Sequence, residues 1–477
     1  MSYTDLLKNK IRGKRCAMLG LGVSNTPLLE LLLSFDCASE ITVYDKKDID
    51  ELTKEAREFE KRGVRFITGK TCFDDIRADI IFRSPGIRPD TASIPREIES
   101  GAILTSEIEE LLNLSPARSF AITGSDGKTT TTTLCGKFLS SSSRVFVGGN
   151  IGTPLLDRLD EMQESDSLVL ELSSFQLMRV SRSPFAVAIT NLSQNHLDWH
   201  KDFEEYISAK KNVIGKDTKR VVLNADCGVT RAIAEEIATE RPDIELFVFS
   251  SKKSSYAETI GTLTGAKAAF IKDGHIVLSN GEREENILTC SEVRLPGTHN
   301  LENYMTAICL CYGFAKSEIF ASVAREFGGV EHRLEFVRQL DGVDYYNSSI
   351  DSSPSRTAAA LSALHGRDIT VICGGYDKNL DYTPLAESIA RSTVSTVVLT
   401  GNTAEKIYNA LLSCEGTAHG QVNIIRASDF ENALLLARES ARRGGCVLLS
   451  PASASFDRFK NFAERGRYFK KLVCELD

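Results

Sequence analysis

The alternation of strand and helix patterns along the sequence constrains the fold of this chain more than any other feature. Short apolar, β-branched runs alternate with longer helical patterns, and the alternation begins anew near residues 15–20, 119–123 and 343–346. Such alternation favours parallel sheets that are covered by helices. A length of 477 residues agrees with about three domains of ~150 residues each. The sequence therefore predicts an α/β fold with three domains at residues 1–106, 107–330 and 331–477.

Individual strands can be placed within these blocks by their apolar, β-branched composition. Residues 240–295 differ, because short alternating runs there are separated by Gly, Asn and Asp turns, which predicts an antiparallel patch inside the second domain. The remaining strands are predicted at residues 40–45, 79–83, 368–373, 394–400 and 445–450.

Charge and composition exclude several classes of protein. The formal charge is 57 − 65 = −8, which argues against a nucleic-acid partner because phosphate backbones require a basic face. Residues 1–14 lack the apolar core of a signal peptide, and no apolar stretch approaches the ~18 residues that span a bilayer. The twelve cysteines form no C-x-x-C pair, so we expect free thiols. We expect a cytoplasmic monomer that contacts neither nucleic acid nor membrane.

The strongest local motif is Ile122-Thr-Gly-Ser-Asp-Gly-Lys-Thr-Thr130, in which a strand enters a glycine-rich turn that opens a helix. The backbone N–H groups of such a turn and the helix N-terminus bind phosphate oxygens. Lys128 can reach the terminal phosphates of a nucleotide, and the hydroxyl of Thr129 suits Mg²⁺. Only Gly124 and Gly127 frame this loop, which is therefore shorter than the general phosphate-loop pattern.

Three further residues could serve a nucleotide site. Glu171 ends an apolar strand, where metal-binding carboxylates of nucleotide enzymes occur. His196 lies in a polar turn and could ligate a metal or bind phosphate, and Lys210 follows on the next helix. Taken alone, each residue also fits a simpler interpretation: a solvated carboxylate, a capping or core histidine, and a surface lysine.

The first block carries a second glycine motif, Gly20-Leu-Gly22-Val-Ser-Asn25, between a strand and a helix. It matches the dinucleotide-binding pattern except that Asn25 replaces the third glycine, and Asp45 ends the next strand, where a ribose-binding carboxylate would lie. A dinucleotide-dependent oxidoreductase is therefore an alternative. The missing glycine, and the lack of residues suited to hydride transfer, argue against it.

Several blocks taken together resemble the Mur ligase family. They are 123–130, 148–152, 171–176, 195–198, 295–303 and 331–335, and they occur in the family's order across most of the chain. Residues 20–24, 374–381 and 449–462 look like the D-glutamate-adding members, although another amino-acid-adding member remains an alternative. The presence together of Lys128, Glu171 and His196 argues against a non-catalytic binding module.

The resemblance implies a UDP-substrate-binding Rossmann-like domain, a central P-loop-type ATPase domain and a Rossmann-like amino-acid-binding domain that closes over the site. It implies ATP, two Mg²⁺ ions, UDP-N-acetylmuramoyl-L-alanine and D-glutamate as ligands, and a reaction through an acyl phosphate and a tetrahedral intermediate. Phosphoryl transfer depends mainly on positioning and charge neutralisation, which these residue types supply.

The resemblance also assigns roles to residues. Lys128, His196 and Lys210 would be catalytic, and Lys210 would be carbamylated, which makes it an anionic ligand. Gly127, Lys128, Thr129, Thr130, Asn303 and Arg333 would bind ATP; Thr129, Glu171, His196 and Lys210 would bind metal; Val23, Ser24, Asp45, Ser84, Gly86 and Asn150 would bind the UDP substrate; and Lys378, Ser455, Phe456 and Phe462 would bind D-glutamate.

The sequence departs from the family early in the third domain. Where the family commonly has Asn-Asp-Ser-Lys-Ala-Thr, this chain has Asn347-Ser-Ser-Ile-Asp-Ser352, so Ser348 stands in place of the aspartate and Ile350 in place of the lysine. Asp351 and Arg356 are the nearby charged residues that could substitute for the missing ones.

Overall fold

The computed structural model describes residues 2–52, 55–295, 297–418 and 422–477. Within these residues the chain divides into two compact units, one comprising residues 1–292 and 301–323 and the other residues 293–300 and 324–477. Three sheets are present, two in the first unit and one in the second. None of the helices in this part of the chain is long and apolar enough to cross a bilayer.

The first sheet is parallel and has the strand order β3-β2-β1-β4-β5, which is the Rossmann order without its sixth strand. Side chains of β1 and β4 are almost all buried, as expected for a sheet that is covered on both faces. The elements are α1 Tyr3–Ile11, β1 Arg15–Leu19, α2 Asn25–Phe35, β2 Glu40–Asp45, α3 Ala56–Lys61, β3 Arg65–Thr68, β4 Ile80–Arg83, α4 Ile94–Glu99 and β5 Ile103–Thr105.

The second sheet has nine strands in the order β14-β13-β12-β11-β10-β9-β6-β8-β7. Its elements are α5 Glu107–Leu114, β6 Arg118–Thr123, α6 Lys128–Leu139, β7 Val145–Gly149, β8 Ser167–Glu171, α7 Ser174–Leu177, β9 Ala186–Ile189, α8 Phe203–Lys211, β10 Arg220–Asn224, α9 Gly228–Glu240, β11 Glu245–Ser250, α10 Tyr256–Ile260, β12 Lys267–Lys272, β13 His275–Ser279, β14 Glu284–Thr289, α11 Thr298–Cys311 and α12 Ser317–Glu326.

The predicted antiparallel patch is present but shorter than expected. β12, β13 and β14 pair antiparallel, whereas β11 joins the parallel part of the sheet and α10 follows it. The prediction for residues 240–260 was therefore wrong. Residues 246–249 of β11 are all apolar because the strand is buried on both faces. The sequence there therefore shows no alternation of polar and apolar residues that would reveal whether the strand pairs parallel or antiparallel.

The third sheet has the order β15-β16-β20-β17-β18-β19, and only β15 pairs antiparallel among its described strands. The strands predicted from the sequence for this block are confirmed. Its elements are β15 Glu335–Leu340, β16 Val343–Asn347, α13 Pro354–Ala363, β17 Ile369–Cys373, α14 Thr383–Ala390, β18 Val394–Leu399, α15 Ala404–Ser413, α16 Glu415–Ala418, β19 Asn423–Arg426, α17 Phe430–Ser440, β20 Cys446–Leu449 and α18 Phe462–Glu475.

Candidate active site

The predicted phosphate loop connects β6 to α6. Gly124 has φ +142° and Gly127 has φ +79°, and both conformations favour glycine. Gly127 caps α6, so the N-terminus of the helix, with Thr129 and Thr130 in its first turn, faces the end of the loop. The ammonium of Lys128 donates to the carbonyls of Gly124 (3.0 Å) and Ser125 (2.8 Å). A cation held over a ring of N–H groups suits a polyphosphate.

Neighbouring segments fix the conformation of this loop. The N–H of Asp126 donates to the side chain of Asn191 at 3.0 Å, and the hydroxyl of Thr190 donates to the carbonyl of Asp126 at 2.6 Å. Asn303 on α11 packs so closely that a Cβ on Gly127 would lie 2.2 Å from its Oδ1. The nucleotide role predicted for Asn303 is thus accompanied by a contact that explains why Gly127 is glycine.

Glu171 lies at the end of β8, paired in register with Ile122 of β6 and Gly149 of β7. Its side chain is 3% exposed, and its Oε1 accepts a hydrogen bond from Nδ2 of Asn150 at 2.9 Å. Its Oε2 is buried without a hydrogen-bond partner in the described part of the chain. A buried carboxylate oxygen without a partner is costly unless a cation or another donor completes its environment.

Lys210 on α8 is buried, with 2% of its surface exposed, and its ammonium donates to the hydroxyl of Thr123 at 3.2 Å. Burial lowers its pKa from the ordinary 10.5 to about 7; the charge of Lys128 acts in the same direction, and Glu171 opposes it. Lys210 is therefore not a surface lysine, and its ammonium is readily deprotonated.

His196 has a left-handed backbone conformation, φ +55°, and its ring lies against Phe175 with 5.0 Å between centroids. Partial burial lowers its pKa, Asp198 opposes the shift, and the positive charges of Lys128 and Lys210 contribute to it. A neutral imidazole can act as a ligand or accept a hydrogen bond. The buried histidine of this region is His200, whose Nε2 lies 2.9 Å from the hydroxyl of Ser174.

The side chains of this site supply only some of the ligands that a magnesium ion needs. Among the described residues, no group of three or more His, Cys, Asp and Glu is placed to hold a metal. Glu171 supplies one unpartnered buried oxygen, and Thr129 opens the helix that follows the loop. Mg²⁺ commonly takes one or two carboxylates together with substrate phosphates and water, so this donor set suits a metal that arrives with a nucleotide.

A cavity of about 710 Å³ opens at the carboxyl ends of the first sheet's strands. Asp45, Ser84 and Gly86, three of the predicted UDP-substrate residues, line it. The carboxylate of Asp45 accepts the N–H groups of Leu21 (2.8 Å) and Lys47 (3.0 Å), so it holds two loops at the cavity edge. Crevices at the carboxyl ends of parallel strands are the usual ligand sites of such folds.

The other three predicted residues lie elsewhere. Val23 is 81% exposed and Ser24 precedes α2, and neither belongs to the lining. Asn150 lies beside Glu171 instead. Residues that the sequence interpretation missed also line the cavity: Lys46, Lys47, Phe73, Arg88 and Trp199. The two lysines directly after a strand-end aspartate were a usable signal for an anionic ligand.

Asn25 explains how the first glycine motif works without its third glycine. Its side chain is 1% exposed and donates from Nδ2 to the carbonyls of Leu19 (3.1 Å) and Gly20 (2.8 Å). In dinucleotide-binding folds a glycine at this place allows close packing of helix and strand. Here an amide fills that space and caps the strand end.

In the second unit, Lys378 and Phe456 lie together. The ammonium of Lys378 is 5.4 Å from the centroid of the Phe456 ring, and Tyr376 contacts the same ring at 5.9 Å. Phe456 is 56% exposed, which is unusual for phenylalanine and typical of a ligand-binding surface. Both residues were predicted D-glutamate contacts, and the structure brings them together.

Ser455 and Phe462 belong to the same segment. Ser455 is buried, Phe462 begins α18, and the carbonyl of Phe462 accepts a hydrogen bond from Ser349 at 2.8 Å. Arg465, which the sequence interpretation missed, is buried and donates to the carbonyls of Ser349 (2.9 Å) and Ala454 (3.1 Å). A buried guanidinium thereby holds together the loops that carry these residues.

The divergent loop of residues 347–352 has its own carboxylate. Ser348 is buried and its hydroxyl accepts the N–H of Leu334 at 3.1 Å, next to the exposed, predicted nucleotide contact Arg333. Asp351 accepts a hydrogen bond from Ser450 at 2.8 Å, and burial raises its pKa to about 6. The buried carboxylate of this loop is therefore that of Asp351, whereas the hydroxyl of Ser348 is used in a hydrogen bond to the backbone.

Comparison with known proteins identifies the class. The MurD N-terminal domain family matches residues 15–93, the Mur ligase middle domain family matches residues 122–311, and the family described as Mur ligase, glutamate ligase domain, matches residues 332–453. The solved structure of a UDP-N-acetylmuramate–alanine ligase from Thermotoga maritima shares the fold, with a TM-score of 0.52 at 18% identity over 97% of this chain and 99% of that chain. The chain belongs to the Mur ligase family, and the resemblance and the three-domain α/β fold predicted from the sequence are confirmed.

Its relatives are more specific than the family. A UDP-N-acetylmuramoylalanine–D-glutamate ligase from Ruminiclostridium cellulolyticum is 40% identical over 99% of both chains. A ligase with the same description from Acetivibrio thermocellus is 41% identical over 98% of both chains. The family is ATP-dependent and acts on small molecules, which excludes the dinucleotide-dependent oxidoreductase.

Proposed function

We propose that this chain adds D-glutamate to UDP-N-acetylmuramoyl-L-alanine at the expense of ATP, in peptidoglycan precursor synthesis. The observation that carries the proposal is full-length similarity to ligases of that description. It is supported by the loop that carries Lys128, by buried Glu171 at the end of the neighbouring strand β8 and by buried Lys210 on α8. The substrate carboxylate would take the γ-phosphoryl group, and the amine of D-glutamate would displace phosphate from the resulting acyl phosphate.

The phosphate loop would hold ATP. Gly127, Thr129 and Thr130 present the N-terminus of α6 to the phosphates, and the ammonium of Lys128 would exchange its loop carbonyls for phosphate oxygens. Neutralising charge on the transferring group is the main contribution that a protein makes to phosphoryl transfer. Asn303, packed against Gly127, and Arg333 are proposed to contact the nucleotide.

Two magnesium ions are proposed to bind with ATP. Thr129 and Glu171 would hold one ion, and Glu171, His196 and Lys210 would hold the other. When bound, the metal supplies Lewis-acid neutralisation of phosphate charge. Asn150 orients Glu171 by its hydrogen bond to Oε1, which leaves Oε2 available. We propose that Lys210 is carbamylated: its neutral amine would add to carbon dioxide and release one proton to water, leaving an anionic oxygen donor.

The substrates are proposed to bind at separate sites. The cavity lined by Asp45, Ser84 and Gly86 would take the UDP-sugar, with Lys46 and Lys47 facing its anionic groups. Val23 and Ser24 are retained as contacts at the neighbouring loop. Lys378, Ser455, Phe456 and Phe462 would bind D-glutamate, with Lys378 paired to a carboxylate.

The domain boundaries and the setting of the protein complete the proposal. Domains at residues 1–106, 107–330 and 331–477 agree with β5 ending at Thr105 and β15 beginning at Glu335. We propose a cytoplasmic monomer that binds neither nucleic acid nor membrane, in keeping with a net charge of −8.

Amino-acid-dependent phosphate release tests the function. With ATP, Mg²⁺ and UDP-N-acetylmuramoyl-L-alanine present, D-glutamate should stimulate release, whereas L-glutamate and L-alanine should not. Stimulation by L-alanine with UDP-N-acetylmuramate would instead indicate an alanine-adding enzyme. No stimulation by any amino acid would contradict the proposal.

A further inference from the structure

Arg88, in the wall of the cavity proposed for the UDP substrate, uses all its hydrogen-bond donors on other residues of the protein. Its Nε and Nη2 donate to the two carboxylate oxygens of Asp90 at 2.9 and 3.0 Å. Its Nη1 and Nη2 donate to the two carboxylate oxygens of Glu205 at 2.9 and 2.8 Å, and Nη1 also donates to the carbonyl of Trp199 at 2.8 Å. All five N–H groups of the guanidinium are therefore used.

This network joins the turn of residues 84–88 to the second sheet. The indole N–H of Trp199 donates to the carbonyl of Gly86 at 3.0 Å, and the guanidinium of Arg88 lies over the indole at 5.1 Å. From the opposite side, buried Arg83 donates to the carbonyls of Ile87 (2.6 Å) and Phe175 (3.0 Å). The turn of residues 84–88 is thus attached to the second sheet's segments both through Arg88 and Trp199 and through Arg83.

Glu205 continues the connection into α8. It lies in the first turn of that helix, three residues after the N-cap Asp202, which accepts its N–H at 2.7 Å. The next residue, Tyr206, is buried, and its hydroxyl is 2.8 Å from that of Ser125 in the phosphate loop. Lys210 follows on the same helix. One rigid helix therefore connects the Arg88 network with the catalytic lysine.

We infer that Arg88 is a positioning residue: it fixes the first turn of α8 against the substrate turn, and through α8 it fixes Lys210 beside the phosphate loop. The inference rests on the proposed function. The pair is only partly exposed, 20% for the side chain of Arg88 and 19% for that of Glu205. Arg88 holds the pKa of Glu205 at about 2, so the pair stays ionised at physiological pH. A bidentate pair of this kind fixes orientation as well as distance.

Four single variants, and the double variant Arg88→Ala/Glu205→Gln, test the inference. Arg88→Ala removes the network, and Glu205→Gln keeps its shape but removes the charge that reaches α8. Asp90→Asn is the matched control, because it alters the carboxylate that shares the guanidinium but does not lie on α8. Arg88→Lys retains the positive charge but loses the bidentate geometry of the guanidinium. The dissociation constant of UDP-N-acetylmuramoyl-L-alanine would be measured by calorimetry without ATP, and kcat by D-glutamate-dependent phosphate release at saturation.

A positioning role predicts that kcat falls roughly 10- to 100-fold in Arg88→Ala and Glu205→Gln, while the dissociation constant changes less than about threefold. The double variant should be no slower than Arg88→Ala within about threefold, since both changes break one connection. Asp90→Asn should match the parent in both measurements, and Arg88→Lys should lie between. Glu205→Gln carries the test if Arg88→Ala does not fold.

Four results would overturn the inference. A larger change in the dissociation constant than in kcat would make Arg88 a substrate-binding residue. An unchanged kcat in Arg88→Ala, or equal losses in Asp90→Asn and Glu205→Gln, would make the network structural only. A parent enzyme inactive with D-glutamate would overturn the proposed function and the inference with it, whereas an active parent beside an unchanged Arg88→Ala would overturn the inference alone.

Discussion

Lys210 and its neighbour Lys211 offer the sharpest test of the active site, because they are adjacent in sequence and differ in environment. Lys210 is 2% exposed, and its pKa is lowered from 10.5 to about 7. Lys211 forms an ion pair with Glu236 and its side chain is 40% exposed. Lys210 is therefore the proposed site of modification and catalysis, and Lys211 is its control.

The magnitude follows from the pKa. At pH 7.5 a lysine with a pKa of 10.5 is neutral in about one molecule in a thousand, whereas one with a pKa of about 7 is neutral in about three quarters. Carbamylation needs the neutral amine, so modification should be favoured above pH 7 and suppressed below it. For the unmodified lysine, the free energy of unfolding should rise with pH between about 7 and 10.5, because the unfolded chain there holds a proton that the folded chain has released.

Lys210→Met removes the ammonium nitrogen, which lies 4.9 Å from the centroid of the Tyr206 ring, and keeps an apolar stem of similar length. Loss of one charge-assisted interaction in the site predicts at least a roughly 10- to 150-fold fall in kcat. Lys211→Met should keep kcat within about threefold. Phosphate release measures both variants, and their thermal unfolding midpoints show that the comparison is between folded enzymes.

Two further measurements separate a carbamate from an ordinary lysine. Short-chain carboxylates such as formate should partly restore Lys210→Ala, because they supply the missing oxygen. Carbon dioxide labelled with ¹³C should give a carbamate signal in the parent that Lys210→Met lacks. Full activity of Lys210→Met, or equal losses at Lys210 and Lys211, would refute the reasoning.

Three other substitutions probe the remaining site. Lys128→Ala should abolish ligation without altering the circular dichroism, because the charge over the phosphate loop is lost; activity within tenfold of the parent would contradict the assignment. Lys378→Ala should raise the KM for D-glutamate roughly 10- to 150-fold and leave that for ATP nearly unchanged, whereas equal changes would place Lys378 elsewhere. Gly127→Ala should raise the KM for ATP more than Gly13→Ala, since both have positive φ but only the first would bring a Cβ, 2.2 Å from Asn303 Oδ1, into contact; equal effects would show that backbone strain alone matters.

Local patterns were sufficient for most of the strands, though not for residues 240–260, and for the glycine-rich turn between β6 and α6. Phe120–Ile122 form a buried apolar run that ends in glycines, and a parallel strand followed by a helix N-terminus requires that order of residues. In that loop, neighbours in sequence are neighbours in space. The D-glutamate site stays a prediction; the fold does bring Lys378 beside the exposed Phe456, although the two are far apart in sequence.

Residues brought together by sheet order could not be predicted in this way. Lys46, Lys47 and Trp199 line one cavity, but Trp199 belongs to the second sheet's loops and reaches the cavity only through its bond to Gly86. Val23 and Ser24 lie inside the first glycine motif, yet neither lines the cavity, and Val23 is exposed there. Their contact with the substrate stays a prediction.

Strand order also explains why Glu171 and Lys210 gained meaning only in the folded chain. β6 lies between β8 and β9, so the carboxyl ends of three strands that are distant in sequence are adjacent at one edge. The phosphate loop leaves the middle strand, Glu171 ends one neighbour, and the segment after the other neighbour carries His196 and leads into α8. A carboxylate and a lysine that alone would read as surface residues are thereby buried beside a cation. Their burial requires a compensating ligand, and that requirement, rather than any single motif, is the physical basis of the proposed metal and nucleotide site.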